Sequence, residues 1–253
     1  MQPYQLLLTS IFFLYGIIIG SFVNVCIYRI PKKENIAKTR SHCMSCGHPL
    51  AWYDLFPVFS WLFLRGKCRY CGAGISGQYP LVELINGFGY VWIYTVSGFG
   101  LDCILYCLTF SALVALSVID WRTFEIPFGI NLFISAMGVI HAIADYEQII
   151  TYVIGCISVS GFLLILYYLT KGRGIGGGDI KLMAAAGLLL GWQKILLALV
   201  LGAVLGSIIH IARMKISGEE HMLAFGPYLS AGIVIAMLYG EMMINWYLSF
   251  CFY

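Results

Sequence analysis

The sequence predicts an all-α polytopic membrane protein of about eight transmembrane helices, with a cytoplasmic zinc-binding loop between the first and the second. Three observations predict it. Of the 253 residues, 60% are hydrophobic and only 11% charged, and mean hydropathy is +0.87, whereas soluble domains carry about a quarter of charged residues. Apolar runs recur along the whole chain. The lysines and arginines fall almost entirely into alternate gaps between those runs.

The first run, Leu6 to Ile27, has no basic residue before it and no small-residue cleavage site after it, so it reads as a retained membrane helix. Further runs cover 81–100, 101–119, 127–144, 149–169, 182–192, 193–212 and 223–248. The 182–192 run is short for a span of about 20 residues. With eight spans and an external N-terminus, the cytoplasmic side receives Arg29, Lys32, Lys33, Lys38, Arg40, Arg65, Lys67, Arg69, Arg122, Lys171, Arg173, Lys181, Arg213 and Lys215, leaving only Lys194 outside. That is the positive-inside pattern. The net charge of +3 therefore reports topology. No basic stripe interleaved with aromatics is present, which sets nucleic-acid binding aside. The organisation expected is a first helix over 1–28, a loop domain over 29–80 and a transmembrane domain over 81–253.

The 29–80 loop holds eight of the basic residues and the pairs Cys43-Met44-Ser45-Cys46 and Cys68-Arg69-Tyr70-Cys71, separated by 21 residues. Each CxxC offers two thiolates from one turn. Two such turns close a tetrahedron with no open position, the mark of a structural zinc site. Gly47 and Gly72 would ease the turns. Two disulfides are the alternative, and a cytoplasmic setting disfavours them. Cys26, Cys103, Cys107, Cys156 and Cys251 lack partner spacing and are expected to be packing residues.

Among the acids, Glu34, Asp54, Glu219 and Glu220 fall in cytoplasmic loops and Asp102, Asp145 and Glu147 in outer turns, where a solvated role suffices. Glu83, Asp120, Glu125, Asp179 and Glu241 abut or enter apolar spans, where an ionised carboxylate is costly and marks function. Asp120 closes the third span after Leu113–Ile119, and Asp179 opens the sixth behind Gly174, Gly176, Gly177 and Gly178. Two carboxylates brought together at low dielectric share a proton, and such a pair can activate water. The glycines would let a substrate strand approach. Equally, they form a loop and Asp179 caps a helix N-terminus; the residues alone leave both readings open.

Five stretches in order are similar to the bacterial type IV prepilin peptidases. Gly20-Ser21-Phe22-Val23-Asn24-Val25-Cys26-Ile27-Tyr28-Arg29-Ile30-Pro31 resembles that family's GSFxNVxIYRxP opening, followed by the double CxxC. Tyr79-Pro80-Leu81-Val82-Glu83 is similar to its entry into the second helix. Asp120-Trp121-Arg122-Thr123-Phe124-Glu125-Ile126-Pro127 and Gly176-Gly177-Gly178-Asp179-Ile180-Lys181-Leu182 resemble its two catalytic aspartate segments, and Phe225-Gly226-Pro227 its late FGP element. Phe128 departs from the Asn or Asp common there.

The resemblance implies an intramembrane aspartic protease of the GxGD type in a bacterial inner membrane. Asp120 and Asp179 would be its catalytic pair, facing the cytoplasm, with Glu125 the lesser candidate. It implies prepilin or pseudopilin substrates, cut between a basic leader and the hydrophobic helix, then methylated on the new N-terminus from S-adenosylmethionine. It also implies partners in pilus or secretion machinery. No GxGxxG follows a strand, so no Rossmann-type cofactor site is expected; the zinc loop, near Gly20, Asn24 and Arg29, is a candidate place for the methyl donor. An ion pair with an arginine is the favoured role for Glu83, and contact with a basic leader the other. His141 and His210 read as buried histidines and Glu241, Asn245 and Trp246 as the outer interface. The rival from another class is a secondary transporter using membrane carboxylates for proton or cation coupling.

Overall fold

In the computed structural model, which describes residues 3–38, 40–172, 174–217 and 224–251, the regular structure is helical. Arg173, Glu219 and Glu220 lie outside the described residues. Helix α1 spans Pro3–Arg29, α2 Phe59–Phe63, α3 Gln78–Ser97, α4 Leu101–Thr123, α5 Phe128–Ala144, α6 Ile149–Leu169, α7 Gly177–Ser217 and α8 Gly226–Cys251. The breaks follow local chemistry. Pro31 ends α1 by withholding an N–H. Gly98, at φ +73°, closes α3 with its N–H on the Tyr94 carbonyl at 3.0 Å. Asp102 and Arg122 stand in the first and last turns of α4, the ends where the helix dipole favours them.

Among the described residues five helices are long and apolar enough to cross a membrane: Tyr4–Arg29, Leu101–Thr123, Tyr146–Leu169, Gly177–Lys215 and Gly226–Cys251. The expected eight differ from these five for identifiable reasons. The 17 residues of α5 fall short of a full span, and α3 carries Gln78, Glu83 and Asn86. The expected 182–192 and 193–212 runs are two helices that meet at Gly191, whose φ of 76° and ψ of 172° are not helical, and the continuous range of α7 counts them together. Large side chains such as Leu14, Ile150 and Ile165 are exposed. In water such faces would be a liability; against acyl chains they are solvated.

The chain divides into two compact units, 1–115 and 116–253, the boundary falling within α4. In the first, α1 packs on α3, stapled by hydrogen bonds. The Asn86 amide donates to the Gly16 carbonyl at 2.8 Å, and the Ser111 hydroxyl of α4 donates to Asn86 Oδ1 at 2.9 Å. Polar links between apolar helices are expected where lipid removes the hydrophobic drive to associate. In the second unit α5, α6 and α8 pack around α7. Gly155 of α6 and Gly187 of α7 meet backbone to backbone; a methyl group on Gly187 would overlap the Gly155 carbonyl.

Candidate functional site

The four loop cysteines converge within the first unit. Their Sγ atoms all lie within 4.8 Å of one another, those of Cys43 and Cys71 at 3.8 Å. The two turns repeat one geometry. The Cys43 amide donates to the His48 carbonyl at 2.9 Å and the Gly47 amide to the Cys43 carbonyl at 2.8 Å; the Cys68 amide donates to Ala73 at 2.8 Å and the Gly72 amide to Cys68 at 2.9 Å. Gly47 and Gly72 take φ of 70° and 73°, the left-handed conformation expected of them. The amides of Cys46 and Ser45 bring the Cys43 thiol down to about 6. At Cys71 the Ala73 amide lowers the thiol, but burial and the neighbouring thiols win and push it up to about 12. Four thiols this close cannot all ionise without a cation, and a tetrahedral sulfur set suits a soft metal such as zinc or iron.

Asp54, expected to be solvated, is instead a clamp. Its side chain is 3% exposed, and the Arg69 Nε approaches Oδ1 at 2.7 Å. The Tyr70 hydroxyl donates to Oδ2 at 3.0 Å and the Ala51 amide to the same atom at 3.3 Å. Burial alone would raise this carboxyl; the Arg69 and Tyr70 bonds outweigh it and hold it below the usual carboxylate range. A depressed acid contributes stability above its unfolded pKa and loses it as pH falls through the folded one, so this clamp is made at neutral pH and released in acid.

Glu83 also differs from expectation. Its partner is the Val58 amide, which donates to Oε2 at 2.7 Å. No lysine or arginine reaches it among the described residues. Val58 sits at φ 62°, strained for a β-branched residue, and Glu83 takes the N–H which that turn exposes. Exposed Cys251 is not a packing residue, whereas Cys103 and Cys107 are buried. His141 is buried against the ring of Tyr152, centroids 5.1 Å apart.

In the second unit Asp120 and Asp179 are 5% and 7% exposed. Each carboxylate takes a glycine amide on one oxygen. Gly226, opening α8, donates to Asp120 Oδ2 at 2.8 Å; Gly176, just before α7, donates to Asp179 Oδ2 at 3.2 Å. Both carboxylates therefore face a helix N-terminus, that of α8 for Asp120 and that of α7 for Asp179, where orphan amides and the dipole favour negative charge. Asp179 thus makes the capping bond, and it is buried as well. Each Oδ1 has no donor among the described residues.

The segments carrying the two acids also touch. A methyl on Gly178 would stand 2.7 Å from the Ile126 Cβ, so this glycine admits the chain that follows Asp120. The Asn131 amide donates to the Gly178 carbonyl at 3.4 Å. Lys181 stands over the Phe128 ring, 5.6 Å from its centroid; the residue that departs from the familiar pattern thus still faces a cation, through its π face. Glu125 is exposed.

Residues 14–97 match the family model described as Bacterial Peptidase A24 N-terminal domain, and residues 107–211 match that of the Type IV leader peptidase family. The chain is 33% identical to a prepilin leader peptidase/N-methyltransferase of Aeromonas salmonicida, over 95% of this chain and 94% of that protein. It is 34% identical to a protein of the same name from Burkholderia pseudomallei, over 89% and 83% of the two chains. A third of that name, from Bacillus subtilis, is 31% identical over 95% and 98%. No solved structure matches. With relatives above 30% identity along nearly its whole length, this chain belongs to the type IV leader peptidase family.

Proposed function

We propose that this protein removes the leader from type IV prepilins or pseudopilins with Asp120 and Asp179 and N-methylates the new N-terminus. One observation carries the peptidase assignment: two buried aspartates, on chain segments that touch at Ile126 and Gly178, each anchored through one oxygen to a glycine amide and leaving the other for a reacting group. One carboxylate takes a proton from water as it attacks the scissile carbonyl, while the other protonates the departing amine. The kinship with prepilin leader peptidase/N-methyltransferases supports both activities. The transporter reading draws no support from the family models or the named relatives.

The finer assignments belong to the same proposal. The metal is one structural zinc on Cys43, Cys46, Cys68 and Cys71, and the methyl donor is S-adenosylmethionine, which supplies the methyl group and leaves as a neutral thioether. The chain spans an inner membrane eight times with the catalytic pair facing the cytoplasm, where a basic leader would be cut, and it works beside pilus or secretion machinery. The functional division is a first helix over 1–28, a zinc loop over 29–80 and a peptidase domain over 81–253. Purified protein in detergent, incubated with a prepilin, is expected to release the leader; intact prepilin after exhaustive incubation with a metal-replete preparation would refute the assignment.

Metal analysis of purified protein is expected to give about one zinc per chain. Zinc-free protein with four titratable loop thiols would count against the metal assignment. Gly226 supplies a sharper test of the pair. Its added Cβ would lie 2.7 Å from Asp120 Oδ2 and 3.1 Å from Leu116 Cδ2, so Gly226→Ala is expected to displace the carboxylate. Cleavage should fall about 10²-fold, the scale of a 1 Å misplacement, with KM little changed. A variant with unaltered kcat would show that Asp120 does not need this amide.

A further inference from the structure

We infer that the cavity of the first unit is an organic-cation site in which Glu83 and Asn24 are the recognising groups. The inference rests on the methyltransferase reading above and on the zinc loop as its candidate place, to which it adds a bounded cavity, the charge type of the ligand and two recognising residues.

The cavity, about 520 Å³, lies between the C-terminal half of α1, the cysteine turns and the start of α3. Its size suits a small molecule, since ligand pockets commonly run about 300–1,000 Å³. Most of its charged and polar lining is already engaged. The Arg29 guanidinium donates to the Ile36 carbonyl at 3.0 Å and to that of Asn35 at 3.4 Å. Asp54 is held by Arg69 and Tyr70. Two buried groups of the lining lack a counter-charge or a partner among the described residues. Glu83, 6% exposed, accepts the Val58 amide but meets no cation among the described residues. Asn24 is 3% exposed; its amide nitrogen donates to the Tyr79 carbonyl at 3.0 Å, whereas its Oδ1 is buried without a partner.

A buried acceptor left unpaired costs stability unless a ligand satisfies it. A buried carboxylate without a counter-ion asks for a positive charge. Trp61, fixed by its indole N–H on the Ile75 carbonyl at 3.1 Å, lends the cavity an aromatic surface that favours a cation further. The chemistry called for is a cationic organic group of ammonium or sulfonium type. Methylation offers two sources: the sulfonium of the methyl donor and the terminal ammonium of the cleaved pilin.

The experiment compares cationic and neutral ligands on zinc-loaded, full-length protein. In one arm calorimetry measures S-adenosylmethionine against S-adenosylhomocysteine. In the other, anisotropy measures a cleaved-pilin N-terminal peptide with a free amine against its acetylated form. Wild-type protein is expected to prefer the cationic member in at least one arm, which identifies the source. Glu83→Gln, which keeps an acceptor for the Val58 amide, is expected to erase about tenfold or more of that preference while leader cleavage persists. Retention of the full preference by Glu83→Gln, or no preference in either arm for wild-type protein, overturns the site. Should the variant lose its zinc, hydrogen exchange on wild-type protein decides: segments 20–29, 56–64 and 73–83 must slow with the cationic ligand and not with its neutral analogue. These are binding readouts, so they fail separately from the activity assay on which the methyltransferase reading stands.

Discussion

Asp120→Asn and Asp179→Asn are each expected to reduce leader cleavage at least about 10³-fold while the protein still inserts and accumulates. General acid–base catalysis alone contributes about 10²–10⁴-fold, and in the mechanism proposed above both halves pass through one pair, so losing either member would remove the whole proton-sharing unit. Asparagine is close in size to aspartate, and its Oδ1 can still accept the Gly226 or Gly176 amide that now binds Oδ2. The helix ends should therefore hold, and the loss should appear in kcat more than in KM. Both variants should keep the zinc proposed for the loop, because the cysteine cluster belongs to the other compact unit. The check is single-turnover cleavage of a prepilin in detergent, with accumulation followed by immunoblot. Appreciable cleavage by either variant would remove that residue from the catalytic pair, and Glu125, exposed in the loop after α4, would have to be reconsidered.

The features legible in the sequence were those that repeat at a fixed local spacing. Two CxxC pairs announce a metal cluster because each pair is its own turn, and apolar runs announce helices because hydropathy accumulates over many residues. The division between the 182–192 and 193–212 runs falls one residue past Gly191, because hydropathy marks where an apolar run weakens, whereas what breaks the helix is the conformation of one glycine. Long-range pairings were not legible. Asp54 carries no local sign of Arg69 and Tyr70, and Glu83 none of the Val58 amide 25 residues before it. Nor does Gly226 announce that its amide meets an aspartate 106 residues earlier. A backbone donor leaves no trace in residue type, which is why an arginine was the natural expectation for Glu83.

Replacing Cys43 and Cys46 by Ser is expected to abolish methyl transfer to an already cleaved pilin, by about 10²-fold or more, while leader cleavage falls much less. Loss of two of four ligands releases the metal, and a small loop whose fold depends on metal loses its order with it. Cys43 and Cys68 line the cavity assigned above to an organic cation, together with Asn24, Trp61 and Glu83. Dissolving one turn therefore removes a wall of that cavity and the Val58 turn that Glu83 holds. The aspartates are anchored differently: their glycine amides belong to the ends of α7 and α8, and neither bond involves the cysteine loop. The aspartate variants should accordingly methylate a precleaved pilin at near the native rate. The assay supplies precleaved pilin with labelled S-adenosylmethionine and scores N-terminal label, with leader release from intact prepilin measured in parallel. Equal loss of both activities in the cysteine variant would mean that the loop also seats the prepilin for cleavage. Loss of label on precleaved pilin in the aspartate variants would mean that the carboxylates serve both reactions, and the two sites would then be one.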